Sequence, residues 1–235
     1  MHTGGRVAAL NDHLDAFWYM LRNGNAWRAL PSEFGHWGTA YQYWNRLCLA
    51  GFFDFLHDAL VCGDTSEAAA ADSAHCKVHQ HATGARGKQN QAIGRSRGGL
   101  NTKLHAVADL LGRLAAKLVI TAGNVSDHTV APALTGTLRD LSLIADKGYD
   151  SSQFRKQLEA RGCEPCIPSR KNTRKPAPYD KELYKCRHVI ENLFQRLKVF
   201  RRVATRYEKT DRMFLMFVLV ALSAIYEARG LFEPL

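Results

Sequence analysis

"LSLIADKGYD", residues 141–150, is a short apolar run that stops on a carboxylate and turns at once. Closed by a glycine-containing turn, "LSLIAD" reads as a buried strand ending on Asp146, whose side chain leaves the core at a sheet edge. "HTVAPALTGTL" (128–138) precedes it as a modest helix, and "DSSQFRKQLEARG" (150–162) follows as a helix with Asp150 as its expected cap. "CEPCIPS" (163–169) is a further short strand. Upstream, "NTKLHAVAD" (101–109) and "LAAKLVITAG" (114–123) alternate about "LLGR", which predicts an antiparallel hairpin. "DSAHCKVH" (72–79) opens the series as a strand, although the alanines of "AAAADSAH" favour helix by propensity. The order of strand, hairpin, helix, strand, helix, strand, helix, helix predicts an α/β fold: a mixed sheet with helices on its faces.

The first third, residues 1–63, is expected to be a small helical domain. "HLDAFWYMLRNGNAWRAL", "PSEFGHWGTAYQYWNRLCLAG" and "FFDFLHDAL" read as helices punctuated by Pro31, Gly35 and Gly51. Thr39 is the expected cap of a helix over 40–49, preceded by a short helix and a turn, the outline of a helix-turn-helix. A tryptophan-packed bundle fits the same residues. A linker-like "CGDTSEAAAA" leads into the second domain, residues 64–235.

Lys and Arg outnumber Asp and Glu 32 to 22, a formal charge of +10, so the partner is expected to be a polyanion, nucleic acid ahead of an acidic membrane. The apolar run "MFLMFVLVALSAIY" (213–226) falls short of the ~20 residues that span a bilayer and reads as a core helix. Cys48, Cys62, Cys76, Cys163, Cys166 and Cys186 form no disulfide framework, and free thiols in a reducing cytoplasm are expected. Cys163-x-x-Cys166 reads as packing. His75, Cys76, His79 and His81 match no common zinc spacing, so DNA contact or support of a neighbouring site is the expectation there. "GRSRGG" lacks the lysine and hydroxyl of a nucleotide loop, and ATP binding is rejected.

"YKCRHVIENLFQRLK", Tyr184 to Lys198, is an amphipathic helix by its spacing. Leu183, Ile190, Leu193, Phe194 and Leu197 share one arc; Tyr184, Arg187, Glu191 and Lys198 crowd a narrower one beside it. On the helix alone, Arg187 and Glu191 are an ordinary i,i+4 pair on a salt-bridged rim. If strands carrying Asp72 and Asp146 lie side by side, however, this helix brings Glu191 against both. Three converging carboxylates call for a cation, and hard oxygen ligands suit Mg²⁺ or Mn²⁺, two of which could serve phosphodiester chemistry.

"ADKGYDS" together with Y-x-x-R-x-x-x-E-x-x-x-x-x-x-K resembles the DDE transposases of bacterial insertion sequences, in the insertion-sequence-five branch of the four/five superfamily. The resemblance runs nearly end to end, through "GNAWRALPSEFGHWGTAYQYWNR", "DSAHCKVHQHATGARG", "GRSRGGLNTKLHAVAD", "GCEPCIPSRKN" and "FRRVATRYEKT". It implies a ribonuclease-H-like core in which Asp72, Asp146 and Glu191 form the catalytic, metal-binding triad. Asp64 and Asp109 are the rivals of Asp72, read as a linker and a hairpin-end residue. It further implies metal-dependent cleavage at the element's end, then attack of the freed 3′-hydroxyl on target DNA, with no organic cofactor. Tyr184, Arg187 and Lys198 are placed to meet the element's end. Arg95, Arg97, Lys103, Lys147, Arg170 and Lys171 are further DNA-contact candidates. A homodimer on DNA in the bacterial cytoplasm, with no membrane association, completes the expectation. Family members usually carry a further helical segment before the Gly-Arg region, so the first domain is expected to be trimmed. Two alternatives stay open: an inactive DNA-binding regulator derived from a transposase, and a nuclease that hydrolyses without joining.

Overall fold

The computed structural model describes residues 10–61, 67–85, 91–114 and 118–230. Its centre is strand β1 (Ala68–Val78), whose two edges are used differently. One edge pairs antiparallel with β3 (Gly99–Asp109) from Ala69 to Lys77. The other pairs parallel with β5 (Ser142–Ala145) only over Ala68–Ala71, and again with β7 (Thr205–Arg206) at Lys77 and Val78. Residues 72–76 therefore face a gap on that edge. β2 (Gly94–Ser96) and β4 (Val119–Ala122) pair antiparallel with β3, and β6 (Glu164–Cys166) extends the sheet parallel to β5. The expected hairpin and the mixed sheet are both present, with β2 and β7 as additions.

The alanine run is strand despite its helical propensity. Ala68, Ala69, Ala70 and Ala71 are at most 2% exposed, and they alternate between two cores. Ala69 and Ala71 pack with α4 (Asp127–Leu134) and α5 (Ser152–Glu159). Ala68 and Ala70 pack on the face of α7 (His188–Val199) and α9 (Asp211–Glu227). Helices press on both sides of this strand, so small side chains fill the space and tertiary packing overrides propensity.

Three local expectations are corrected. The helix over 184–198 is broken: α6 (Lys181–Tyr184) passes into a 3₁₀ turn at Lys185–Arg187 before α7 begins. Asp180 starts α6 by accepting from the amides of Glu182 and Leu183. Asp150 does not cap α5, because its carboxylate takes the Arg155 guanidinium at 2.9 Å and the Arg170 amide at 3.0 Å. Helix α2 (Trp37–Leu49) begins before Thr39, and His36 accepts the Gly38 amide at its start. What precedes it is a 3₁₀ turn at Ser32–Phe34, not an α-helix.

The N-terminal helices α1 (Leu10–Asn23), α2 and α3 (Phe52–Leu60) share one core with α7 and α9. Trp44 of α2 is fully buried, stacked on Phe217 of α9 at 4.2 Å between ring centroids and edge-on to Phe17 of α1 at 4.6 Å. After α7, the short helix α8 (Arg201–Ala204) and β7 bury two arginines in the same region. Arg202 pairs with Glu208 at 2.6 Å and lies over the rings of Trp27, Tyr207 and Phe217, while Arg206 donates to Thr102 at 2.8 Å. Because this core is continuous, Trp44→Ala is expected to cost about 3–5 kcal/mol. Urea unfolding followed by fluorescence and circular dichroism should show one transition moving to lower denaturant; a transition confined to the helices would contradict a shared core.

Candidate active site

The register of β1 and β5 builds the site. Ala71 pairs with Ala145, and the next residue of each strand is an aspartate, Asp72 and Asp146. In parallel strands roughly 4.8 Å apart, residues at equal register share a face. Asp72 follows the parity of Ala68 and Ala70, and Asp146 that of Ile144, so both carboxylates stand on the α7 side, at the gap in the β1 edge.

Helix α7 packs through Ile190, Leu193, Phe194 and Leu197, all buried as its spacing predicts. This presents Glu191 and the preceding Arg187 to the two aspartates. Arg187 donates through Nη1 to Asp72 Oδ2 at 2.7 Å and through Nη2 to Glu191 Oε1. The i,i+4 pair exists, yet it is one arm of a fork whose other arm crosses to β1. Arg187 thereby links Asp72 on β1 to Glu191 on α7, and Asp146 lies near enough to act electrostatically on both Asp72 and Arg187.

Each carboxylate is held differently. Asp72 Oδ1 accepts the Ser73 amide at 2.8 Å. Burial raises its carboxyl above the ordinary range; the Ser73 amide and Arg187 oppose that rise, and Asp146 adds to it. Asp146 Oδ1 accepts the Gly148 amide at 2.6 Å across the turn that ends β5. A Cβ on Gly148 would lie 2.7 Å from that oxygen, so glycine is what lets the turn clasp the carboxylate. Glu191 has 44% of its side chain exposed against 20% for Asp72, which leaves it the acid freest to rearrange.

The opposite face of β1 carries a polar network that sequence reasoning missed. Asp127, in the first turn of α4, accepts from Ser73 Oγ at 2.8 Å and from Lys103 Nζ at 3.1 Å. His105 lies behind it, its pKa lowered to about 4 by burial, and its Nε2 is 2.9 Å from Thr121 Oγ1. This network anchors the residue next to Asp72 and corrects one expectation. Lys103 is 7% exposed, and its ammonium is spent on Asp127 and the Val125 carbonyl, so it cannot reach DNA. The only advance signal for Asp127 was an acid at a helix start.

The remaining candidates fall at the surface. Lys198, Lys147, Arg95, Arg97 and Lys171 are exposed. Arg170 is exposed too, although its guanidinium folds onto the carbonyls of Lys147 and Gly148 at 3.2 Å. Tyr184 packs edge-on to Tyr179, and its phenol is raised chiefly by burial, with Arg187 opposing and Asp146 reinforcing. Asp109 is a hairpin-end residue as expected, bound to Arg113 at 2.8 Å, whereas Asp64 and Cys62 lie outside the described residues. Cys163 and Cys166 are buried free thiols. His75 meets Asn101 at 2.9 Å, and His79 stacks on Tyr207 and meets His81 edge-on.

Among the described residues no three metal-ligating side chains stand together as a ready cage, because Arg187 fills the ground between Asp72 and Glu191. The donor set nonetheless fits a hard divalent cation: its oxygens are carboxylates, and desolvated Asp72 beside Asp146 is a like-charge pair that a cation relieves. No described helix is long and apolar enough to cross a membrane.

The chain is similar to known proteins in both sequence and fold. A family profile described as a transposase DDE domain matches residues 64–178, and a second of that description matches 143–226. A profile for transposases of the IS4/5 family matches residues 2–57. The chain is 36% identical over 129 residues to the protein named as transposase for insertion sequence element IS6501 of Brucella ovis, across 54% of this chain and 98% of that one. It is 33% identical over 120 residues to the protein named as transposase for insertion sequence element IS402 of Burkholderia cepacia, across 46% of this chain and 54% of that one. Among solved structures, piggyBac transposase in a synaptic complex with hairpin DNA superposes with a TM-score of 0.51 at 12% identity, over 77% of this chain and 52% of that one. That likeness concerns the fold, and it agrees with the expected ribonuclease-H-like sheet.

Arg187 pulls the Asp72 carboxyl toward its charged form. Arg187→Gln is therefore expected to move the Asp72 titration to still higher pH in protein free of metal and DNA, followed by carboxyl-carbon NMR. A midpoint that stays put or falls would show that the guanidinium does not govern this group.

Proposed function

From the premise that the chain belongs to the DDE transposases of insertion sequences, we propose that Asp72, Asp146 and Glu191 are its catalytic acids. The activity of the family is metal-dependent DNA strand cleavage and strand transfer. The observation that supports this assignment is the register: two aspartates directly after the last paired residues of adjacent parallel strands, with Glu191 across from them on α7.

The three carboxylates would hold Mg²⁺ or Mn²⁺, two ions in our reading, and the ions would supply charge neutralisation to the phosphodiester. The chain's own residues do the rest. Gly148 fixes the Asp146 carboxylate, and the Asp127 network fixes β1 beneath Asp72. Arg187 has a second use: once the acids share other positive charge, its planar fork is free for a DNA phosphate, the geometry for which guanidinium is suited. Tyr184 lies beside it, and Lys198, about three turns further along α7, supplies another contact to the DNA. Arg95, Arg97, Lys147, Arg170 and Lys171 supply sequence-independent contact to the DNA backbone. The helical residues 1–63 and the catalytic residues 64–235 act as one body, and pairing two element ends calls for a homodimer on DNA, in the bacterial cytoplasm where that DNA lies.

The test is strand transfer of a labelled, precut element end into plasmid DNA with Mg²⁺ or Mn²⁺. Asp72→Asn, Asp146→Asn and Glu191→Gln should each lower joining by about 100-fold or more, since even residues supporting a metal ligand cost 10–100-fold. Chelation should stop cleavage and joining while leaving DNA binding in place. Joining that persists in any of the three variants removes that residue from the acidic set.

A further inference from the structure

Helix α3 is apolar on two sides, and the fold uses one of them. Its inner side is fastened to the core: Leu60 is 1% exposed, and the His57 ring accepts the Leu118 amide at 3.1 Å. Its outer side carries Phe52, Phe55 and Ala59 at i, i+3 and i+7, the spacing of one helical stripe, and all three are exposed. Phe55 keeps 69% of its surface in solvent and Phe52 39%, with their rings 6.2 Å apart. Leu49, also 69% exposed, ends α2 just before the left-handed Gly51 turns the chain into α3, so it prolongs the apolar run. Single exposed apolar side chains are ordinary, whereas three large ones this close in sequence form a patch of the kind that marks an interaction surface.

Charge argues for one occupant. Arg46, exposed one turn before Leu49 on α2, stands at one end of the run, and Asp58, with 82% of its side chain exposed, stands at the other. A surface ordered base, apolar, acid is the complement of itself when turned about a two-fold axis. We propose that this face docks a second copy of the chain, α3 against α3 in antiparallel sense, with Arg46 of each copy opposite Asp58 of the other and the phenylalanines packed between them. The proposal rests on the homodimer of the functional reading and names the surface that makes it. DNA is a poor occupant, because apolar rings bordered by a carboxylate offer nothing to a phosphate backbone. Size sets the strength of the pairing. Two phenylalanines and a leucine this exposed offer on the order of 300 Å² per copy, less than half of the ~800 Å² a side that holds a standard interface. The face therefore pairs free chains weakly, and pairs them firmly once each is held on an element end.

Sedimentation velocity of the full chain tests this, alone and with precut duplexes of the DNA flanking its own reading frame. The wild-type chain should self-associate weakly by itself and form particles of two chains and two duplexes on DNA. Phe55→Asp should weaken pairing by about 30-fold or more, the loss expected at an interface hot spot, while binding to a single end persists. Arg46→Glu and Asp58→Lys should each weaken it about 10-fold by setting like charges opposite each other. Mixed one to one, these two variants should recover wild-type pairing, because every charged contact between unlike chains is again of opposite sign. A role confined to the fold of one chain would not respond to mixing. Phe55→Asp that pairs like wild type, or mixed variants that stay apart, overturns this face and leaves the transposase reading to the strand-transfer assay. A wild-type chain that remains single both alone and on each end overturns the face and the homodimer together; binding of that single chain to zwitterionic vesicles would assign the face to lipid instead.

Discussion

The parallel pairing of β1 with β5, and the point at which it stops, is the constraint on which the molecule depends. Four residues of ladder end at Ala71 and Ala145, and the chain then places a carboxylate on each strand. One residue more or less of register would send one aspartate to the opposite face, because side chains alternate along a strand. The four alanines make the pairing possible by letting helices close on both sides of β1. Packing that looks merely structural therefore sets how two carboxylates stand to each other.

The same pairing creates an electrostatic problem. Two carboxylates on neighbouring strands, one of them desolvated, repel each other unless a cation is near. Arg187 meets that need from the far side, bridging Asp72 and Glu191. Its own charge is opposed by burial and then raised by Asp72 and Glu191, so the fork and the acids stabilise one another. The 3₁₀ turn at Lys185–Arg187 aims it: a regular helix through Tyr184 and Glu191 would carry Arg187 on a different path to the sheet.

Much of this was legible in the sequence, and the failures have physical causes. Asp146 stood out because an apolar strand stopped on it, and Glu191 because the buried arc of α7 fixed the face on which it lies. Asp72 was masked by alanines whose helical propensity is overruled only by two layers of packing absent from any local window. Lys103 was among the expected DNA contacts; here Asp127, 24 residues away in sequence, draws it inward. β2 and β7 are too short to leave a period-two signal. The burial of Arg202 and Arg206 leaves no local signal, since their partners Glu208, Thr102 and the aromatic rings converge only in the folded chain.

One of those arginines, Arg202, helps tie the N-terminal helices to the rest of the core. A buried guanidinium is costly unless charge and hydrogen bonds surround it. Arg202 is met by Glu208, by the Asn25 carbonyl that follows α1, and by rings from both parts of the chain. Separating the helices from the sheet would take from Arg202 the Asn25 carbonyl and the Trp27 ring, leaving it to Glu208 and Phe217. Helices joined in this way cannot swing independently of the acids. α1 and α2 are thereby packed at a set place against the sheet that carries Asp72, and one buried positive charge is part of what holds them there.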